Sequence, residues 1–171
     1  MKKYITLPFI GVLLLLIFAS CIADKKPDQA WWLNLSVKPD KTVLNNINIT
    51  SYNENWRSAV FLDNKLIKTQ VTNPQFTELK NSKFKLSLGI DFNGNNEDEI
   101  FKVGVYQNNE NSKGVFLAVF EKSNLLKVFT DSSNKGFSAL IELNNSIRWY
   151  KCMNCGEFDE IRWNGKSYII Q

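Results

Sequence analysis

Apolar and polar residues alternate with a period of two along most of this chain, as they do in β-strands that bury one face. The clearest run lies near the middle, where Phe101, Val103 and Val105 are separated by Lys and Gly. The alternation predicts strands over residues 32–37, 59–62, 66–71, 84–90, 100–106, 115–120, 125–129, 137–143, 147–150, 160–163 and 166–170. Clusters of Asn, Asp, Ser and Gly separate many of these runs at short intervals, which favours antiparallel connections.

Two tight turns and one helix are predicted between these strands. Asn164-Gly165 is the strongest hairpin signal, because both central residues of the favoured turn need positive φ. Asp63-Asn64 predicts a second hairpin, between strands 59–62 and 66–71. Asn73 before Pro74 predicts a helix of at most two turns with the proline at its first position.

These elements indicate an all-β fold, built as an antiparallel meander, a sandwich or a small barrel. The aromatic content supports this class, since the chain carries 12 Phe, 5 Tyr and 5 Trp and lacks long runs of helix formers.

The first 21 residues have the layout of a secretory signal. Lys2 and Lys3 precede a mainly apolar run from Tyr4 to Phe18, and two small residues then lead to Cys21. The stretch Phe18-Ala19-Ser20-Cys21 resembles the lipobox of bacterial lipoproteins, in which the cysteine is acylated and becomes the mature N-terminus. The resemblance implies a palmitate-bearing lipid anchor on Cys21.

The same resemblance divides the chain and places it in the cell. It implies a signal peptide over 1–20, a lipidated polar tether over 21–30 and one β domain over 31–171. Ile22, rather than Asp, follows the cysteine, which by analogy with lipoprotein sorting favours the outer membrane, facing the periplasm. Two alternatives remain open: plain secretion with cleavage after Ala23, and an uncleaved membrane anchor of about 20 residues. All three place the body of the protein outside the cytoplasm.

Composition narrows the range of functions. The chain has no histidine, which removes Ser-His-Asp and Cys-His catalysis and histidine metal sites. Its net charge of +4 becomes +2 when Lys2 and Lys3 leave with the signal, and no basic stripe indicates nucleic acid. We therefore expect a protein that is not an enzyme and does not bind nucleic acid.

One loop carries side chains suited to a hard cation. Oxygen-bearing residues stand at every second position, so that alternate groups can turn inward around an ion. The candidate calcium ligands are Asp91, Asn93, Asn95, Glu97 and Glu99. The loop resembles the calcium loop of integrin-like FG-GAP (VCBS-type) repeats, which precedes a strand and is structural or adhesive. That resemblance implies strands like those of a propeller blade, although the chain is too short for a closed propeller.

Calcium is the one candidate cofactor, and it has an alternative. Asn95 stands where the family usually has Asp, so the resemblance implies weak calcium affinity. The alternative is a polar turn whose Asx side chains bond their own backbone and hold no ion.

Cys152 and Cys155 form a second motif, between two predicted strands. Outside the cytoplasm, two nearby thiols most simply form a disulfide that staples the loop. A thiol–disulfide active site and a zinc knuckle are the alternatives, but the first prefers a helix N-terminus and the second normally needs four ligands.

Aromatic and acidic residues surround this loop. Trp149, Tyr150, Trp163 and Tyr168 predict a binding surface rimmed with acid, suited to a peptide, a cationic protein or a sugar. The alternative is that these rings pack across strands in the core. The sequence thus predicts a non-enzymatic envelope lipoprotein that binds a protein or cell-wall partner, with an inhibitor or immunity protein as one version. The alternative function is a thiol–disulfide oxidoreductase using Cys152 and Cys155.

Overall fold

The computed structural model describes residues 30–133, 136–144, 146–153 and 155–171. The signal peptide 1–20, the lipidation site Cys21 and the tether up to Gln29 lie outside the described residues. The strands are β1 (Val43–Leu44), β2 (Ile47–Asn48), β3 (Trp56–Phe61), β4 (Ser87–Ile90), β5 (Glu99–Asn108), β6 (Lys113–Glu121), β7 (Asn124–Asp131), β8 (Ala139–Leu143), β9 (Ser146–Tyr150), β10 (Phe158–Trp163) and β11 (Tyr168–Ile170). Two short helices, α1 (Asn64–Gln70) and α2 (Asn73–Asn81), lie between β3 and β4.

A five-stranded antiparallel sheet forms the centre of the fold, in the order β3-β5-β6-β7 with β4 also paired to β5. β3 pairs with the second half of β5, where Val60 lies opposite Val105, and β4 pairs with the first half, where Leu88 lies opposite Phe101. Both run antiparallel to β5 on the same side, because β6 occupies the other. β3 and β4 are therefore two parts of one broken edge strand.

The last four strands form a separate antiparallel meander in the order β11-β10-β9-β8. The two sheets meet where Lys85 and Leu140 exchange backbone hydrogen bonds of 2.8 and 2.7 Å. They do not close into a barrel. The all-β antiparallel class is therefore confirmed, with the sheets arranged as a meander and sandwich.

The main core lies between these two sheets. The inward residues of β5 and β6, such as Phe101 and Leu117, are fully buried against Leu140 and Trp149 of the meander. The alternation expected over residues 100–106 is confirmed, because Phe101, Val103 and Val105 all belong to this core while Tyr106 faces the other side.

A second core covers the opposite face of the central sheet. Phe116 and Phe120 of β6 pack there against Tyr52 and Trp56, under the β1–β2 hairpin and a 3₁₀ turn at Ile49–Ser51. β6 is buried on both faces, which explains its nearly continuous apolar sequence.

Burial in this second core gives Tyr52 a role in alkaline stability. Burial raises the pKa of Tyr52 from 10.0 to about 12, and its hydroxyl donates to the Leu44 carbonyl at 2.9 Å. The unfolded chain therefore loses this proton first, so the stabilisation is complete below pH ~10 and is lost as pH rises to about 12. We expect urea denaturation to show a steep fall in the free energy of unfolding over this range. Tyr52→Phe should flatten the fall, and an unchanged slope would contradict the assignment.

The predicted hairpin at Asp63-Asn64 is wrong. Residues 64–70 form α1, and the Asp63 side chain caps it by accepting from the Leu66 amide at 2.7 Å. Ile67 then reaches the main core, so these residues bury an apolar face as a helix turn rather than as a strand.

The helix after Asn73 is confirmed but is longer than predicted. α2 has nine residues, about two and a half turns, and it begins after Thr72. The Thr72 amide donates to the Gln75 side chain at 2.9 Å, half of a capping box. Pro74 follows as the second helical residue instead of the first.

Two further details differ from the prediction. Residues 32–37 are not a strand, since Trp31–Asn34 form a 3₁₀ turn. Leu35 and Val37 are buried in the main core, and Trp32 packs partly against it. The hairpin at Asn164-Gly165 is confirmed, but its loop spans residues 164–167 because Trp163 pairs with Tyr168. In the described part of the chain, no helix is both apolar and long enough to cross a bilayer.

Candidate binding cleft at the cysteine loop

The cysteine loop joins β9 to β10. Tyr150 and Phe158 are the last residues paired across these strands, and residues 151–157 form the loop between them. Cys152 and Cys155 are joined in a disulfide, with their Cα atoms 5.8 Å apart. Cys152 is 7 % exposed, whereas Cys155 lies at the surface. The bond closes a short loop, so it fixes local geometry more than it stabilises the whole fold.

A cleft of about 390 Å³ lies beside this disulfide. It is bounded by residues from three separate parts of the sequence, namely Leu33, Asp131, Ser133, Lys151, Cys152, Cys155, Glu157, Phe158 and Asp159. Leu33 is the most exposed large apolar residue of the described chain, at 74 %. The cleft thus combines an apolar rim with charged walls.

Charge in the cleft is predominantly negative. Among the described residues, its walls carry three carboxylates, those of Asp131, Glu157 and Asp159, and one ammonium, that of Lys151. The Lys151 ammonium lies 3.6 Å from Asp131, contacts Asp159 directly, and sits 4.3 Å from the centre of the buried Trp149 ring. The formal balance of −2 contrasts with the net charge of +4 for the chain.

The outer wall of the cleft is held by packed aromatic and charged groups. The Phe158 ring lies 5.3 Å from the Tyr150 ring, and the Arg148 guanidinium lies 4.1 Å from the Phe158 ring centre. Glu160 is 3.9 Å from the Arg148 Nε and also binds Arg162. These contacts fix the base of the loop on a rigid sheet.

The four aromatic residues expected to form one surface are not brought together. Trp149 is fully buried and Tyr168 is 2 % exposed, so neither ring can contact a partner in this structure. Tyr150 and Trp163 remain half-buried but lie at opposite ends of the β9–β10 pair. Trp149 and Tyr168 instead follow the alternative interpretation, in which the rings pack across strands in the core.

Sequence reasoning did not assign Leu33, Asp131, Ser133, Lys151 or Phe158 to the cleft. Leu33 and Asp131 are distant in sequence from the cysteine loop and meet it only through the fold. The one available signal was the acidic stretch 157–160 beside the cysteines.

The candidate calcium loop is a turn held by its own side chains. Asp91 accepts from the amides of Gly94, Asn95 and Asn96 at 2.8–3.0 Å. Asn93 accepts from the Asn95 amide at 3.0 Å. The Asn95 side chain accepts from the Glu97 amide at 2.8 Å and donates to Glu121 at 2.7 Å.

The two glutamates of this loop point in different directions. Glu99 is fully buried, accepts from the Phe92 amide at 2.7 Å and also accepts from the Asn93 side chain. Glu97 instead pairs with Lys122 at 2.9 Å near the surface. No group of three or more Cys, Asp or Glu side chains suited to a metal ion occurs among the described residues. The geometry is that of the polar-turn alternative, and calcium binding stays a prediction.

The buried glutamate also ties the loop to the meander sheet. The Asn93 side chain donates to the Tyr168 hydroxyl at 3.3 Å. Burial raises the pKa of Tyr168, and a hydrogen bond to Glu99 raises it further. The predicted calcium ligands therefore include a structural carboxylate that joins β5 to β11.

Comparison with known proteins did not identify a related protein. A scan against protein-family models and searches of curated proteins and of solved structures found no match to this chain. The lipoprotein and FG-GAP resemblances therefore stay predictions from the residues quoted for them.

Proposed function

We propose that this protein is a non-enzymatic, lipid-anchored binding module of the bacterial cell envelope. Its partner would be a protein or a cell-wall component held at the cleft beside the Cys152–Cys155 loop. The observation that carries the proposal is the exposure of Leu33 on the rim of this cleft. Beside the charged walls of the cleft, this side chain offers a partner apolar and polar contacts at one concave surface, the combination found in protein interfaces.

The chemistry of the cleft favours binding over catalysis. Lys151, the one amine among the described residues that line the cleft, is held by two carboxylates and the Trp149 ring, so it is engaged in ion pairs instead of serving as a base. Asp131 likewise accepts from the Ser133 amide and hydroxyl at 2.8 and 2.6 Å. These charged groups build a fixed surface.

Attachment to the membrane is proposed from the sequence, and Cys21 tests it. We expect the wild-type chain to incorporate labelled palmitate and to fractionate with the outer membrane. Cys21→Ala should abolish both, because it removes the acylated side chain. Cys155→Ser is the matched control and should keep both label and location. Retention of the label by Cys21→Ala would contradict lipidation at this site.

Site-specific photocrosslinking tests the cleft. A benzophenone amino acid placed at Leu33 in the full chain, expressed in its own envelope, should give a discrete crosslinked product. The matched control is Leu126, which is also exposed, at 43 %, but lies on β7 outside the cleft. The product at Leu33 should disappear when Phe158→Asp is added. Identical products at both positions, or no product at Leu33, would refute the proposed site.

A second candidate function is thiol–disulfide exchange. It is favoured by one observation: the surface sulfur of Cys155 lines the cleft, where a substrate thiol could reach it. The double change Cys152→Ser and Cys155→Ser separates the two functions. A binding module keeps its Leu33 crosslink in this variant, whereas an oxidoreductase loses all turnover of a dithiol substrate.

A further inference from the structure

We infer that the cleft binds a polypeptide segment that presents a Lys or Arg side chain next to an apolar side chain. This inference rests on the proposed function and names the chemistry of the partner. Two halves of the cleft carry it: an acidic wall for the cation, and an apolar rim for its neighbour.

The acidic wall has capacity for a further cation. Lys151 engages Asp131 and Asp159, which leaves Glu157 as the third carboxylate. Within the described residues, no hydrogen bond or ion pair engages the Glu157 side chain, and this residue is exposed on the loop. An incoming ammonium or guanidinium group would meet Glu157, whereas an anionic group would meet a surplus of negative charge.

The chain already shows how this region holds cations. Lys151 sits over the Trp149 ring, and Arg148 sits over the Phe158 ring at 4.1 Å, each with carboxylates nearby. Aromatic faces flanked by carboxylates attract Lys and Arg through combined cation–π and ionic contacts. At Glu157 the partner's cation would gain the ionic part of such a contact.

The apolar rim of the cleft favours an apolar side chain next to the partner's Lys or Arg. Leu33 is 74 % exposed on the rim, while Phe158 and the Cys152–Cys155 sulfurs contribute further apolar surface. An apolar side chain packed on Leu33 would be removed from water, a favourable contribution of about 25 cal/mol per Å² of buried surface. A lone cation would gain only the weaker ionic contact.

Short capped peptides test this chemistry on the full-length chain in non-ionic detergent micelles. The probe is Ac-Gly-Lys-Leu-Gly-NH₂, and the comparison peptides replace Lys by norleucine or Glu. We expect NMR titration at low salt to show binding of the Lys peptide, with the largest amide shifts over residues 155–159. The norleucine and Glu peptides should bind at least threefold more weakly.

Two variants locate the interaction. Glu157→Gln should weaken binding of the Lys peptide roughly three- to fivefold, as expected for one ion pair at a surface. Glu110→Gln makes the same chemical change in the exposed turn after β5, outside the cleft, and should leave binding unchanged. Both variants change exposed side chains, and an unaltered melting temperature checks that they fold.

The outcomes separate this inference from the proposed function. If all three peptides bind equally, or the Lys peptide does not bind, the cationic partner is refuted, while a discrete Leu33 crosslink would still support a binding cleft. Should the Lys peptide bind as expected but Leu33 give no crosslink in the envelope, the proposed function would fall, and the cleft's preference for cations would stand.

Discussion

Replacing Trp149 with alanine is expected to lower the free energy of unfolding by about 3–5 kcal/mol. The ring is fully buried between the two sheets, and its Nε1 donates to the buried Ser138 hydroxyl at 2.7 Å. Alanine would leave a cavity and an unpaired hydroxyl, and it would also remove the surface on which Lys151 rests. Urea denaturation followed by far-UV circular dichroism measures the loss.

Trp149→Phe is the matched control for this change. Phenylalanine keeps most of the buried ring but cannot donate to Ser138, so we expect a smaller loss of about 1–2 kcal/mol. The difference between the two variants separates packing from hydrogen bonding. A loss below ~1 kcal/mol for Trp149→Ala would show that this ring is not part of the core.

Replacing Glu99 with alanine is expected to cost about 2–4 kcal/mol, because buried donors would lose their acceptor. The Phe92 amide and the Asn93 side chain both donate to this fully buried carboxylate. Glu99→Gln keeps an acceptor oxygen at the same position and should cost less than half as much. The measurement is the free energy of unfolding in buffer containing EDTA, so that no metal ion contributes. Equal costs for the two variants would contradict this account.

The same loop decides the calcium prediction. If calcium binds, millimolar Ca²⁺ should raise the melting temperature of the wild-type chain, and Asp91→Ala should abolish that rise. The polar-turn interpretation instead requires Asp91→Ala to lower stability equally with Ca²⁺ and with EDTA, since its three amide contacts are internal. An unchanged melting temperature at millimolar Ca²⁺ would refute the predicted calcium binding.

The strand over residues 100–106 was predictable from sequence. Its apolar residues Phe101, Val103 and Val105 alternate with Lys102, Gly104 and Tyr106 because they form the side that meets the meander sheet. Residues 32–37 and 66–71 were wrongly predicted as strands, and the second of these segments, up to residue 70, belongs to α1. The Asp63 side chain caps the first turn of α1 by accepting from the Leu66 amide. From sequence, an Asp-Asn pair that forms a hairpin turn cannot be distinguished from one that begins a helix.

The site was only partly predictable, for a different physical reason. The cysteine loop was visible because its two thiols are three positions apart in sequence. Leu33 and Asp131 were not, since they reach the cleft from elements that carry no local signal for one another. For Trp149 and Tyr168 the sequence allowed two interpretations, a surface position and a core position. Composition alone cannot separate buried from exposed rings, and the structure buries both.

The interrupted edge of the central sheet has a consequence for how this fold tolerates change in length. Phe61 lies opposite Gly104 and Ser87 lies opposite Lys102, so residues 62–86 leave and rejoin the sheet at nearly the same point on β5. Extra residues added between the two helices would lengthen an excursion whose ends stay adjacent, at a small entropic cost. The junction between α1 and α2 is therefore a natural place to graft a reporter domain without disturbing strand registration.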